Sequence, residues 1–155
     1  MQPQSYSVFK ESELCFTSDE CDIYFNSELQ AIEYEWKGVF FQGKPLEMVY
    51  NKIIEFIELK KTNAIIVDAR NMRIVTVEDQ SWIVENWYPR AFKSGLNKQV
   101  FIVERYSFGE TSLKKIVNIL PADKIVTDYV HVYKNAVDWI LNNVPAINTK
   151  SWTLF

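Results

Sequence analysis

The sequence predicts an α/β fold with a mainly parallel central sheet, an antiparallel N-terminal hairpin and about four helices. From Pro45 onward, short apolar runs alternate with segments of helical periodicity, which favours parallel strands joined by helical crossovers. From Leu29 to Trp36, polar and apolar residues alternate with period two, which is typical of an antiparallel pair. A chain of 155 residues can bury a sizeable core. We expect one domain over 1–155, with its core from about 14 to 144.

Composition and charge narrow the class of protein. With 17 basic and 20 acidic residues the formal net charge is −3, which argues against binding to nucleic-acid phosphates. No apolar run approaches the roughly 18 residues that span a membrane, and the first residues lack the pattern of a secretory signal. We therefore expect a cytoplasmic protein. Cys15 and Cys21 are expected as reduced thiols, although a pair this close could bridge a hairpin.

The N-terminal hairpin is predicted from Asp22 to Trp36. Asn26 and Ser27 supply the turn, and Leu29 to Trp36 forms the second strand. Residues 1–10 are polar, so we expect a frayed start. The alternation divides the second strand into a buried face and a solvated face; Ile32, Tyr34 and Trp36 share the first, Glu33 and Glu35 the second.

The first helix and the central strand follow. Pro45 suits the first turn of a helix, and Lys60-Lys61 suits its C-terminus. The uninterrupted apolar run Ala64–Val67 predicts a strand covered on both faces, which ends at Asp68. The apolar residues of the first helix recur at helical spacing; they are Leu46, Val49, Tyr50, Ile53 and Ile57.

The second helix has a marked start and an interruption. Thr76 is a suitable N-cap, with Asp79 three residues later. Pro89 predicts a kink or break near Tyr88, and Gly95 ends the helix. On a helical wheel Trp82 falls nearly opposite the predicted buried stripe, which comprises Val77, Gln80, Ile83, Val84, Trp87, Tyr88 and Ala91.

Two further strands and two further helices complete the prediction. Lys98–Val103 forms a buried strand, and Thr111 or Ser112 caps a short helix that Pro121 stops. Ile125–Tyr133 forms the last strand. The final helix carries Ala136, Val137, Ile140, Leu141 and Val144 and ends at Pro145, and an apolar tail with Trp152, Leu154 and Phe155 follows.

Four short segments stand at the strand ends and in the second helix: Trp36-Lys37-Gly38, Asp68-Ala69-Arg70, Val77–Trp82 and Trp87–Ala91. They resemble segments of STAS (SpoIIAA-like, anti-sigma-factor-antagonist-like) domains of uncharacterised bacterial proteins, and the resemblance extends from about Cys21 to Asn143. It implies an α/β domain that acts by protein–protein contact. Some of these domains are related in fold to Sec14-type lipid-transfer domains.

The chain departs from this family at the regulatory serine. In regulatory STAS domains the helix after the Asp-ending strand begins with Asp-Ser-Ser-Gly or similar, and a partner kinase phosphorylates the serine. The corresponding stretch is Thr76-Val77-Glu78-Asp79, with Val77 at the serine position. Capping accounts for the Thr76 hydroxyl, so we do not expect the usual phosphorylation switch.

The predicted binding residues lie beyond the carboxyl ends of the parallel strands, where open α/β sheets bind ligands. Arg70, Arg73 and the amides after Thr76 could hold an anion. In the alternative interpretation Asp68 pairs with Arg70 or with loop amides, and Glu78 and Asp79 oppose an anion. Glu104, Arg105, Tyr106, Tyr133 and Asn135 are expected at the same rim.

Trp82 is the other candidate binding residue. A tryptophan on the polar side of a helix indicates a partner surface, or else packing within the chain or against a second subunit. Neither His131 nor the acidic pairs Glu33/Glu35 and Glu78/Asp79 stand in a catalytic or metal-binding motif. We expect a structural histidine, solvated carboxylates, no metal and no cofactor.

The predicted function is a non-enzymatic interaction or regulatory domain that binds a protein partner or forms a homodimer. The alternative is a protein that binds a small apolar or lipid-like ligand, which the aromatic content and the Sec14-type kinship favour. That alternative requires an enclosed apolar pocket.

Overall fold

In a computed structural model, which describes residues 7–142, the chain forms a six-stranded α/β sheet. The strands lie in chain order across the sheet. The first three pair antiparallel and the last four pair parallel, which confirms the predicted fold class. The strands are β1 (Glu13–Thr17), β2 (Cys21–Asn26), β3 (Ala31–Trp36), β4 (Ala64–Asp68), β5 (Lys98–Ile102) and β6 (Val126–Val130).

Four helical segments accompany the sheet. Because the parallel strands follow one another in space, crossovers of one hand place the first three segments on the same face. A large apolar core forms there, and the last segment packs on the opposite face. The helices are α1 (Lys44–Lys60), α2 (Val77–Trp82) with a π-helical turn (Ile83–Trp87) and α3 (Tyr88–Lys93), α4 (Phe108–Ile119) and α5 (Tyr133–Asn142).

The N-terminal segment is more ordered than we predicted. Phe9 is 1% exposed and packs between the rings of Tyr24 and Tyr133, each with its centroid 5.3 Å away. The segment continues into β1, an edge strand that the alternation argument did not detect. The prediction of a frayed start is therefore wrong for residues 7–10, and residues 1–6 lie outside the described residues.

The second helix is interrupted, as Pro89 predicts. The N–H of Tyr88 donates to the carbonyl of Ile83, five residues back, which defines a π turn. The wider turn accommodates the proline ring, which a regular helix would press against the carbonyl four residues earlier. The predicted stripe is buried from Ile83 onward, but Val77 is 73% exposed, contrary to prediction.

Two predicted boundaries need correction. Helix α4 starts at Phe108, because the hydroxyl of Ser107 accepts the N–H of Glu110 at 3.1 Å. Neither Thr111 nor Ser112 is its cap. The last strand ends at Val130, so Tyr133 begins α5 rather than extending the strand. The predicted end of the last helix and the apolar tail lie outside the described residues.

Candidate functional site: the carboxyl rim of the sheet

The loops that follow β3, β4 and β5 meet at one rim of the sheet. Arg73 Nε donates to the carbonyl of Gly38 at 2.6 Å and joins the first two loops. At the start of α4, a β-carbon on Gly109 would lie 2.9 Å from the carbonyl oxygen of Ala69. That approach requires glycine, and it holds the third loop against the second.

Asp68 and Arg70 form a bidentate ion pair at this rim. Both nitrogen–oxygen distances are 2.9 Å, and the Arg70 N–H also donates to Asp68 at 3.2 Å. This hydrogen bonding raises the pKa of Arg70. The structure favours the interpretation in which Asp68 pairs with Arg70 over the one in which Arg70 holds an anion. The Nε and Nη2 donors of Arg70 are already bonded to Asp68.

Thr76 and Asp79 cap two different helices. Thr76 Oγ1 accepts the N–H of Asp79 at 3.1 Å, which confirms the predicted N-cap. Asp79 is buried rather than solvated, and its carboxylate accepts the N–H of Gly43 at 3.2 and 3.3 Å. Its negative charge therefore lies at the N-terminus of α1, where the helix dipole favours it.

The remaining predicted residues lie in two places. Arg73 and Arg105 are on the rim loops, and Arg105 is exposed to solvent. Trp82 lies away from the rim and is half-buried. Its ring centroid is 6.3 Å from that of Tyr50 on α1, and the Arg90 guanidinium lies 5.9 Å above its ring. Packing within the chain, one of the predicted alternatives, is thus observed for Trp82.

An acidic cleft opens on the α5 face of the sheet at this rim. Asp22, Glu35 and Asp68 are register partners across β2, β3 and β4, so their side chains form a row on one face. The cleft has a volume of about 890 Å³. Its charged lining consists of Asp19, Asp22, Glu35, Asp68, Glu104, Lys37 and Arg70, a formal charge of −3.

Part of this acidic row is compensated. Lys37 Nζ lies 2.8 Å from Asp22, and the Tyr24 hydroxyl donates to Glu35 at 2.9 Å. Burial is the main cause that raises the pKa of Tyr24 to about 12. Sequence reasoning missed this cleft, although the acids two residues apart in β3, Glu33 and Glu35, and the acid Asp22 in β2 were its signal.

Glu33 is fully buried, which corrects the prediction of a solvated carboxylate. It accepts hydrogen bonds from Ser12, from Tyr133 at 2.6 Å and from Asn26 at 3.3 Å. Burial raises the pKa of Glu33. The segment before β1 and helix α5 cover this position, and neither was predicted to do so.

Exposed apolar side chains lie on the same rim, and we call them the rim patch. They come from the three loops and the first turns of α2 and α4, and each is between 46% and 94% exposed. Tyr106 is the most exposed, and its φ of 61° lies in the left-handed region. The rim patch consists of Val39, Phe40, Ile74, Val77, Tyr106 and Phe108.

Residues 7–142 contain no group of three His, Cys, Asp or Glu side chains arranged to hold a metal ion. Both cysteines are free thiols, as predicted. His131 Nδ1 lies 2.8 Å from the carbonyl of Val103, which ties β6 to the end of β5. Within the same residues no helix has the length and apolarity needed to cross a membrane.

Comparisons of the chain with protein-family models, with curated proteins and with solved structures gave no match.

Proposed function

We propose that the chain is a non-enzymatic, STAS-like interaction domain that binds a protein partner through the rim patch. The observation that carries the proposal is the concentration of six large exposed apolar side chains on neighbouring loops at one rim. Exposed apolar side chains that cluster in this way mark interaction sites. The rim is also where open α/β sheets bind ligands.

The conformation of Tyr106 supports an interaction role. A residue other than glycine costs roughly 1 kcal/mol in the left-handed region. The Tyr106 side chain is 94% exposed, so packing within the described residues does not offset this cost. Strained residues of this kind cluster at functional sites, and tyrosine is enriched among residues that dominate binding energy.

Site-specific photo-crosslinking in the cells that make the protein tests this proposal. A benzophenone amino acid replaces Tyr106 in one variant and Leu59, an exposed residue of α1 away from the rim, in another. We expect one discrete protein adduct from position 106 and none from position 59. Phe40→Ser with Ile74→Ser should remove the adduct, whereas Met48→Ser, at an exposed position on α1, should not.

Equal adducts from both positions, or an adduct that survives the paired substitution, would contradict the proposal. The alternative of a small apolar ligand has less support. The apolar pocket beside the rim, between Trp36, Phe41, Leu46 and Ile74, holds about 20 Å³, roughly the space for one water molecule. The cleft beside Phe92 and Leu120 has the volume of a ligand pocket, about 580 Å³, but it is open to solvent and not enclosed.

A further inference from the structure

We propose that the rim binds a second copy of this chain, with the acidic cleft of each copy facing the basic side of α4 in the other. The inference rests on the proposed interaction function and names the partner. Two groups of opposite charge support the inference, and each includes side chains without an ion pair: one lies at the rim, and the other extends from the rim along α4.

The acidic group lies on the α5 face. Asp22 and Asp68 are paired with Lys37 and Arg70. The remaining carboxylates in the cleft have no ion pair among the described residues; these are Asp19, Glu35 and Glu104. Register also places Glu35 directly between Asp22 and Asp68, an arrangement of like charges that destabilises a sheet.

The basic group lies on the opposite side of the rim. A second cleft, of about 480 Å³, is lined by Arg105, Lys114 and Lys115 together with the exposed Tyr106. Glu110 pairs with Lys114 at 3.3 Å. Arg105 and Lys115 have no ion pair within residues 7–142, so this side carries uncompensated positive charge.

The acidic and the basic group adjoin in sequence at Glu104 and Arg105, but within one molecule they line two different clefts. Glu104 lines the acidic cleft and Arg105 lines the basic one, at a turn that the hydrogen bond from the Ser107 N–H to the Glu104 carbonyl closes at 3.3 Å. One copy therefore cannot neutralise them against each other. A twofold axis at the rim brings each acidic cleft to a basic side of the other copy, because such an interface is self-complementary.

The rim patch supplies the apolar part of this interface. Tyr106 lines the basic cleft, and Val39 lines the acidic one. Apolar side chains thus accompany both charged groups, as in interfaces where aromatic residues form the centre and charges the periphery. Complementary charges then fix the orientation of the two copies.

Charge reversal with complementation tests the inference. An acid-reversed variant carries Glu35→Lys and Glu104→Lys, and a base-reversed variant carries Arg105→Glu and Lys115→Glu. A control carries Glu28→Lys and Glu85→Lys at exposed positions away from the rim, with the same change of net charge as the acid-reversed variant. Sedimentation velocity over a concentration series measures the dissociation constant of each.

We expect the wild type and the control to dimerise, and each rim variant alone to dissociate about tenfold more readily or worse. An equimolar mixture of the two rim variants should restore dimers, because both charged contacts are then complementary again. In a mixture of the base-reversed variant with the control, the control should form its own dimers and the base-reversed variant should stay monomeric. Circular dichroism of each variant verifies that it is folded.

Three outcomes would overturn the inference. They are a wild type that stays monomeric up to about 1 mM, rim variants that dimerise like the control, and a mixture that restores nothing. A monomeric wild type that still gives the crosslink from position 106 to a different protein would leave the proposed function standing. If the crosslink from position 106 to a different protein is absent while the wild type still dimerises, the dimer stands and the binding of a different protein does not.

Discussion

The two faces of the sheet are built on different principles. The α1–α4 face buries a continuous aromatic cluster, in which the Tyr50 and Trp87 rings lie 5.0 Å apart and Trp87 is fully buried. The α5 face instead buries the carboxylate of Glu33 under an N-terminal segment and one helix, and leaves an acidic cleft open beside it. Stability resides mainly on the first face, and charge available for recognition lies on the second.

The largest effect is expected from Trp87→Ala on the aromatic face. The substitution leaves a cavity and removes the hydrogen bond from Trp87 Nε1 to the carbonyl of Tyr50 at 2.6 Å. We expect a loss of about 3–5 kcal/mol in the free energy of unfolding, measured by urea denaturation. Trp82→Ala, at a half-buried position, should cost about 1–2 kcal/mol.

The Trp82→Ala variant also distinguishes a role of Trp82 in packing within the chain from a role in association. Trp82→Ala should leave the dissociation constant of the proposed dimer unchanged, because its ring packs against Tyr50 of α1. An unchanged free energy of unfolding together with weaker association would instead make Trp82 a contact residue, as the sequence alone suggested.

On the other face, Glu33→Leu should cost about 1–3 kcal/mol. Leucine leaves Tyr133, Asn26 and Ser12 without their acceptor in a buried place. Thermal denaturation at pH 7 measures the loss. Glu33→Gln is the matched control, because one amide oxygen still accepts and the hydroxyl of Ser12 can accept in turn.

The pH dependence of Glu33 has a definite sign. Its pKa is raised in the folded state, so the folded protein binds the proton more tightly than the unfolded chain does. The contribution of Glu33 to stability is therefore largest below its unfolded pKa of about 4.3 and falls as the pH rises through the folded pKa.

Replacement of Glu33 by glutamine removes this dependence. We expect Glu33→Gln to raise Tm by about 2–4 °C at pH 7 and to have little effect near pH 4. A lower Tm at pH 7 would mean that the three hydrogen bonds stabilise the ionised form more than burial destabilises it.

Asp79→Ala should cost about 1 kcal/mol, since it removes a buried cap from the start of α1. Glu78→Ala, one residue earlier and exposed, is the control and should change the free energy of unfolding by less than about 0.5 kcal/mol. Equal losses in the free energy of unfolding of the two variants would show that both substitutions act only through the dipole of the short helix α2. Chemical denaturation distinguishes the two outcomes.

Sequence reasoning predicted the α1–α4 face of the sheet well, because hydrophobic periodicity indicates which residues are buried there. The apolar spacing of Leu46–Ile57 determines the buried face of α1, and the run Ala64–Val67 indicates a strand buried on both faces. It also located the cap at Thr76 and the interruption at Pro89, where a single side chain dictates local geometry.

The α5 face was harder to predict because its burial depends on distant segments. Glu33 reads as solvated in a strand that alternates, and only the arrival of Ser12 and Tyr133 buries it. Asp79 is also buried by a segment distant in sequence, because its carboxylate accepts the N–H of Gly43 from the loop before α1. Trp82, which the wheel placed opposite the buried stripe, is half-buried against Tyr50 of α1, as the alternative of packing within the chain predicted.

The smallest effect on stability, and the sharpest on association, is expected from Tyr106→Gly. Glycine adopts the left-handed conformation without strain, but it loses more chain entropy on folding, so the two effects largely cancel. We expect the free energy of unfolding to change by less than about 1 kcal/mol. The dissociation constant of the proposed dimer should rise about tenfold or more, because the exposed ring is lost from the proposed interface. Phe108→Ser, at the neighbouring exposed position, separates a single dominant aromatic from a diffuse patch. If both substitutions weaken association equally, the rim patch acts as a whole; if neither does, the strain at Tyr106 serves something other than binding.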